Sequence, residues 1–202
     1  MAKKFLAGLG CCLLLACSGP EAEPEVVADA LSVNADSLNV YISEHPNDVQ
    51  ALALRARRHM NGANIPYALA DAQAILEIDS THHDAWLIYG EGNYLTNTSR
   101  VAKDAWLRCI EEHPEETECR LKLAELYSVI MDYDKSLSLV NKVIELEPTE
   151  SVAYFIKGLN IRDSKQDSTL ALSYIQKAID LNPNYEAALD MAGVMTAAQG
   201  NP

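Results

Sequence analysis

The stretch Val143-Ile144-Glu145-Leu146-Glu147-Pro148 decides how this chain reads, because the chain keeps returning to it. The same ending recurs as Ile42-Ser43-Glu44-His45-Pro46, Leu76-Glu77-Ile78-Asp79-Ser80, Ile110-Glu111-Glu112-His113-Pro114 and Ile179-Asp180-Leu181-Asn182-Pro183. Pro46, Ser80, Pro114 and Pro148 are 34 residues apart, and Pro183 follows after 35. A proline cannot continue a helix and pushes the residue before it into extended backbone, so each ending is a helix stop. Inside each period small residues return in phase: Ala56, Gly90, Ala124, Gly158 and Gly193, then Ala68, Ala102, Ser136 and Ala171. Ile75, Cys109, Val143 and Ala178 follow in each unit. Small side chains let two helices approach closely, and the apolar ones fill the space between them.

This pattern resembles the tetratricopeptide repeat, an antiparallel helix pair of the same period. Trp86, Gly90, Ala102 and Pro114 carry the likeness in one unit; Leu123, Tyr127, Ser136 and Pro148 carry it in the next. The resemblance implies an all-α, right-handed α-solenoid of about ten helices, each unit contacting chiefly its neighbours. Four units are expected at 49–82, 83–116, 117–150 and 151–185. A flanking helix within 31–48 places Leu31, Ala35, Leu38 and Ile42 on one face, and 186–202 supplies the first helix of a fifth unit. Ser80 departs from the closing proline, and one additional residue falls in the loop 163–168.

In that family the first helix of each pair lines the concave face. Positions two, five, nine and twelve of each unit then give the lining: Gln50, Ala53, Arg57 and Met60; Asp84, Leu87, Glu91 and Tyr94; Glu118, Leu121, Glu125 and Ser128; Val152, Phe155, Leu159 and Arg162. Leu87, Leu121 and Phe155 form an apolar row, with Leu159 beyond it and Glu91 and Glu125 as an acidic row beside it. Such a surface suits a peptide with apolar anchors and a few Lys or Arg residues. The Lys and Asn with which some relatives clamp a C-terminal carboxylate are absent here. The last helix is apolar nearly all round, with Leu189, Val194 and Met195 among its residues, and is expected to dock on a partner or on a second copy of the chain.

Of the 202 residues, 49% are hydrophobic and 22% charged, which is globular composition. The 16 Lys and Arg against 29 Asp and Glu leave a net charge of −13, which disfavours nucleic acid, whose phosphates need a basic surface. With only 9 Gly and 8 Pro, turns are too few for a barrel or sandwich.

At the start, Lys3 and Lys4 precede an apolar run from Phe5 to Leu15. The run is too short to span ~30 Å of hydrocarbon and reads as the core of a secretory signal over 1–16. Leu14-Leu15-Ala16-Cys17 resembles the lipobox of bacterial lipoproteins. That resemblance implies cleavage before Cys17 and palmitate-type acylation at Cys17, a membrane anchor through lipid. Ser18, in place of an Asp retention signal, favours the outer membrane. Residues 17–30 carry prolines and acids that cannot build a core and read as an extended tether.

The remaining reactive residue types give little chemistry. Cys109 and Cys119 lie either side of one turn and can form a disulfide in an exported chain, although two packed thiols are the favoured reading. His82-His83-Asp84 reads as a solvated turn, not a metal site. Asn97-Thr98-Ser99 fits a glycosylation acceptor, which the bacterial lipobox discounts. There is no phosphate loop, nucleophile elbow or paired catalytic carboxylates, so neither an enzyme nor a cofactor is expected. The reading is a scaffold for proteins or peptides of the cell envelope, facing the periplasm, within an outer-membrane, pilus or cell-wall assembly complex. The alternative is a surface-exposed lipoprotein that captures a nutrient or host ligand.

Overall fold

A computed structural model of the chain describes residues 35–165 and 167–199. The expected signal peptide, Cys17 and the tether lie outside the described residues, as does Leu31. Among the described residues there are ten helices and no strand. In chain order they are α1 (Ala35–Glu44), α2 (Val49–Asn61), α3 (Ile65–Ile78), α4 (His83–Leu95) and α5 (Ser99–Glu112). They continue as α6 (Glu118–Val129), α7 (Tyr133–Leu146), α8 (Ser151–Lys165), α9 (Ser168–Leu181) and α10 (Glu186–Gln199). None is long and apolar enough to cross a membrane.

Local chemistry sets these boundaries. Asp48 and Asp167 cap α2 and α9, accepting from the Ala51 and Leu170 N–H groups at 3.0 and 2.9 Å. Asp132 does the same for α7, and His82 caps α4 through its ring nitrogen at 3.3 Å from the Ala85 nitrogen. At the other end, His113, Glu147 and Asn182 have left the helical region, Asn182 for extended backbone, as the following prolines favour. Asp79 takes the same extended backbone as Asn182 without a proline after it. Its carboxylate accepts from the Thr81 N–H at 3.0 Å and the Thr81 hydroxyl at 2.7 Å, closing the turn that Ser80 cannot enforce. Those bonds to Thr81 hold the Asp79 carboxyl below its ordinary pKa. Within the pairs, the turn residues Ala63, Asn97 and Met131 all adopt left-handed backbone, with φ of 55°, 60° and 63°. They too lie 34 residues apart, so one turn geometry serves three pairs.

Helices joined by short turns pack as the pairs α2–α3, α4–α5, α6–α7 and α8–α9, with α1 against α2 and α10 against α9. The first helices of successive pairs also touch, α2 on α4, α4 on α6 and α6 on α8, and among the described residues no comparable contact joins the second helices. Crowding on one side and splay on the other curves the stack, leaving the first helices on the inner face.

The core is a continuous series of small-to-large contacts. A Cβ built on Gly90 would lie 2.6 Å from Cδ1 of the Trp106 ring, and one on Gly158 would lie 2.7 Å from Ile175. Ala56 and Ala124 are fully buried at the equivalent places. Ser136 replaces the alanine of other units and is satisfied, donating to the Ala124 carbonyl at 2.8 Å and accepting from Asn160 Nδ2 at 2.7 Å. Leu38 and Ile42 of α1 are buried against Ala51, Leu52, Ile75 and Ala85.

Two sequence expectations are corrected. Cys109 and Cys119 are joined in a disulfide, not held as packed thiols, because the turn between α5 and α6 brings their Cα atoms to 6.3 Å. Met195 belongs to the core rather than to a docking face: it is 6% exposed and packs with Ile161, Ala171, Ile175 and Ala188. Leu189 and Val194 are exposed, and nothing lies within 4 Å of a Cβ built at Gly193.

Two glycines at the same place in the repeat should therefore respond oppositely to alanine. Gly90→Ala should lower unfolding free energy by about 1–3 kcal/mol through overpacking against Trp106. Gly193→Ala should raise it by up to about 1 kcal/mol, the helix-propensity gain alone. Urea unfolding followed by circular dichroism separates the two.

Candidate functional site

The inner face of α4, α6 and α8 carries two adjoining hollows. One, of about 330 Å³, is walled by Leu87 from α4, Glu118, Leu121, Lys122 and Glu125 from α6, and Val152 from α8. The other, of about 210 Å³, is walled by Glu125, Ser128 and Val129 from α6, Phe155, Ile156 and Leu159 from α8, and Tyr185 before α10. Both floors are mainly apolar, and Glu125 stands on the ridge that the two share. A four-residue step along α6 separates Leu121 from Glu125, so helical geometry sets them on one face. The step from Phe155 to Leu159 does the same on α8.

The electrostatics centre on Glu125. Water reaches its carboxylate, yet the walls of the groove crowd it, and this desolvation raises its pKa above the ordinary value of 4.5. Lys122 opposes the rise and Glu91 adds to it. Lys122 Nζ stands 3.3 Å from Glu91 Oε1, with both side chains about a third exposed, so the pair is loosely held. Burial, followed by Glu125 and Glu150, raises the pKa of the Tyr185 phenol, whose ring centroid lies 5.0 Å from that of Phe155. A larger hollow of about 410 Å³ lies at the turns of the third and fourth pairs, beside Met131, Asp132, Asp134 and Asp163. Its wall is chiefly polar, and it lies outside the groove.

The structure gathers Leu87, Leu121, Glu125, Phe155 and Leu159 into these hollows. It places Glu91 beside them in the ion pair with Lys122. Tyr94, expected in the lining, instead packs with the core around Trp106, its ring centroid 6.0 Å away. The Trp106 ring, which fills the space over Gly90, gives Tyr94 an aromatic neighbour in the core. Ala53 is buried, and Arg57 pairs with Asp84 across α2 and α4, so an ion pair bridges the first helices of the first two pairs. Lys122, Val129, Ile156 and Tyr185 are the lining residues that the repeat positions do not indicate. Tyr185 occupies the place where other units carry the helix-capping Asp48 and His82, which hides an aromatic wall residue among turn residues.

No known protein-family profile matches the chain. Among solved structures, the chain is similar to MamA with 21% identity and a TM-score of 0.65, over 81% of this chain and 95% of that one. It is similar to YrrB, described as a TPR protein with an unusual peptide-binding site, with 21% identity and a TM-score of 0.64 over 83% and 86%. It is also similar to TTC0263, a thermophilic TPR protein of Thermus thermophilus, with 16% identity and a TM-score of 0.67 over 85% and 95%. The fold is thus an all-α solenoid of tetratricopeptide type. By sequence, 137 residues are 26% identical to the mitochondrial import receptor subunit TOM70 of Rattus norvegicus, covering 67% of this chain and 21% of that protein. Another 30% identity over 82 residues links it to the peroxisomal targeting signal receptor of Candida albicans, covering 41% and 14%. The chain spans about a fifth or less of the curated relatives that it matches.

The raised pKa of Glu125 carries a sign that can be measured. The folded chain holds this proton to higher pH than the unfolded chain. Its stabilising share is therefore complete below the ordinary value and disappears as pH rises through the folded one. Glu125→Gln should melt with the wild type at about pH 4 and at higher temperature than the wild type at about pH 7. Equal melting temperatures at both pH values would contradict this account.

Proposed function

We propose that this chain is a non-enzymatic, lipid-anchored scaffold of the bacterial envelope that holds partner segments in its concave groove. The observation that carries the reading is the arrangement of two apolar hollows on either side of Glu125. Each hollow suits one apolar side chain of an extended or helical segment. Between them the crowded carboxylate favours a Lys or Arg, whose charge replaces the hydration that the walls remove. Fold likeness to YrrB, described with its peptide-binding site, supports the reading, as do sequence relatives named as receptors. Anchoring rests on the lipobox-like run ending at Cys17. Two or three acyl chains there would hold an acidic domain at a bilayer without help from basic residues. An outer-membrane position facing the periplasm, within an assembly complex, completes the proposal.

A photo-crosslinking residue at Leu121, used in living cells and read by mass spectrometry, tests the groove. It should capture a small, recurring set of envelope proteins. The added Phe155→Ala exchange should reduce capture about five- to thirtyfold, as truncating an anchor costs roughly 1–2 kcal/mol. Capture that persists unchanged, with circular dichroism intact, would refute the groove as the site. Separately, Cys17→Ser should abolish incorporation of labelled palmitate and move the chain from the membrane pellet to the soluble fraction.

A further inference from the structure

The junction of the second and third pairs brings together a set of groups that groove binding does not use. His83 is the first residue of α4, Cys109 lies in the last turn of α5, and Cys119 is the second residue of α6. Their ligand atoms all lie within 4.8 Å of one another. Both cysteines are buried, and His83 keeps only a narrow exposed edge, with 19% of its side chain accessible. His83 Nδ1 stands 3.4 Å from Asp84 Oδ1, and Nε2 stands 4.0 Å from Cys119 Sγ. The carboxylate favours the proton on Nδ1, which turns the lone pair of Nε2 toward the two sulfur atoms. In the disulfide neither sulfur has a proton to offer it. His113 stacks edge-on against His83 with centroids 5.4 Å apart, but its own Nε2 is engaged by the Thr81 carbonyl.

We propose that reduction of the Cys109–Cys119 bond opens a binding site for a thiophilic divalent cation, zinc(II) by its ligand preference, held by Cys109 Sγ, Cys119 Sγ and His83 Nε2. Two thiolates and one imidazole are a zinc ligand set, and the fourth tetrahedral position is left to water. Thiolates bound at about 2.3 Å to a tetrahedral ion stand roughly 3.8 Å apart. The 6.3 Å between the Cα atoms accommodates that spread by side-chain rotation, without displacing either helix. Unpaired N–H groups in the first turn of α6 favour negative charge at Cys119. Asp84, held in turn by Arg57, orients the imidazole as carboxylates do behind metal-bound histidines. Reduction delivers two electrons and two protons to the sulfur atoms. A dithiol protein supplies them in the cell and leaves as its disulfide; in the tube a trialkylphosphine and water supply them and leave as phosphine oxide. Cation binding then releases the two thiol protons.

The test uses the full chain with Cys11, Cys12 and Cys17 changed to serine, so that other thiols do not report. Cobalt(II) is added before and after phosphine reduction. The reduced chain should take up one equivalent with thiolate-to-cobalt charge-transfer absorption, displaced by zinc, and the oxidised chain should show none. His83→Ala should weaken uptake by about a hundredfold or more. Asp84→Asn, which keeps all three ligands, should weaken it by about tenfold. The proposal fails if the reduced chain gives no charge-transfer absorption. It also fails if both variants bind as tightly as the parent, since two thiols alone would then account for the uptake.

Discussion

Everything in this molecule depends on how closely the two helices of a pair can approach. At one place in each unit the first helix offers almost no side chain, and the second helix fills the space: Trp106 over Gly90, Ile175 over Gly158. Dispersion contacts fall steeply with separation, so this approach sets the packing density between the helices. It also sets where the remaining faces point. With the second helices committed to the outside of each pair, the first helices meet one another, and the inner face becomes the one continuous surface that the repeat builds.

The repeat makes that architecture legible from sequence. Helix stops at equal spacing and small residues in phase suffice to place the pairs. What the pattern cannot convey is substitution by a different device with the same effect. Asp79 closes its turn through Thr81 where other units use proline, so the missing Pro at position 80 leaves the geometry unchanged. Ser136 stands for alanine in the core because Asn160 and the Ala124 carbonyl satisfy its hydroxyl.

The groove was legible in its apolar members and less so in its polar ones. Leu87, Leu121, Phe155 and Leu159 follow directly from position within the unit, since apolar anchors need only the right helix face. Tyr94 obeys the same positional rule and yet packs with the core cluster around Trp106. Lys122 sits one place beyond the lining position, and its long stem reaches back to Glu91. The cysteine pairing lay beyond periodic reasoning altogether, as it depends on the distance across one turn. Met195 shows the same limit: an apolar helix at the end of the stack looks uncovered from sequence, although α8 and α9 cover one side of it.

The bond between Cys109 and Cys119 has a mechanical meaning as well as a chemical one. A stack in which each layer leans only on its neighbours comes apart by peeling, one layer after another, from either end. A covalent stitch in the middle keeps α5 and α6 tethered even where the packing between their layers loosens. Loosening that begins near α1 meets the stitch before it reaches α6, the helix that carries the ridge of the groove.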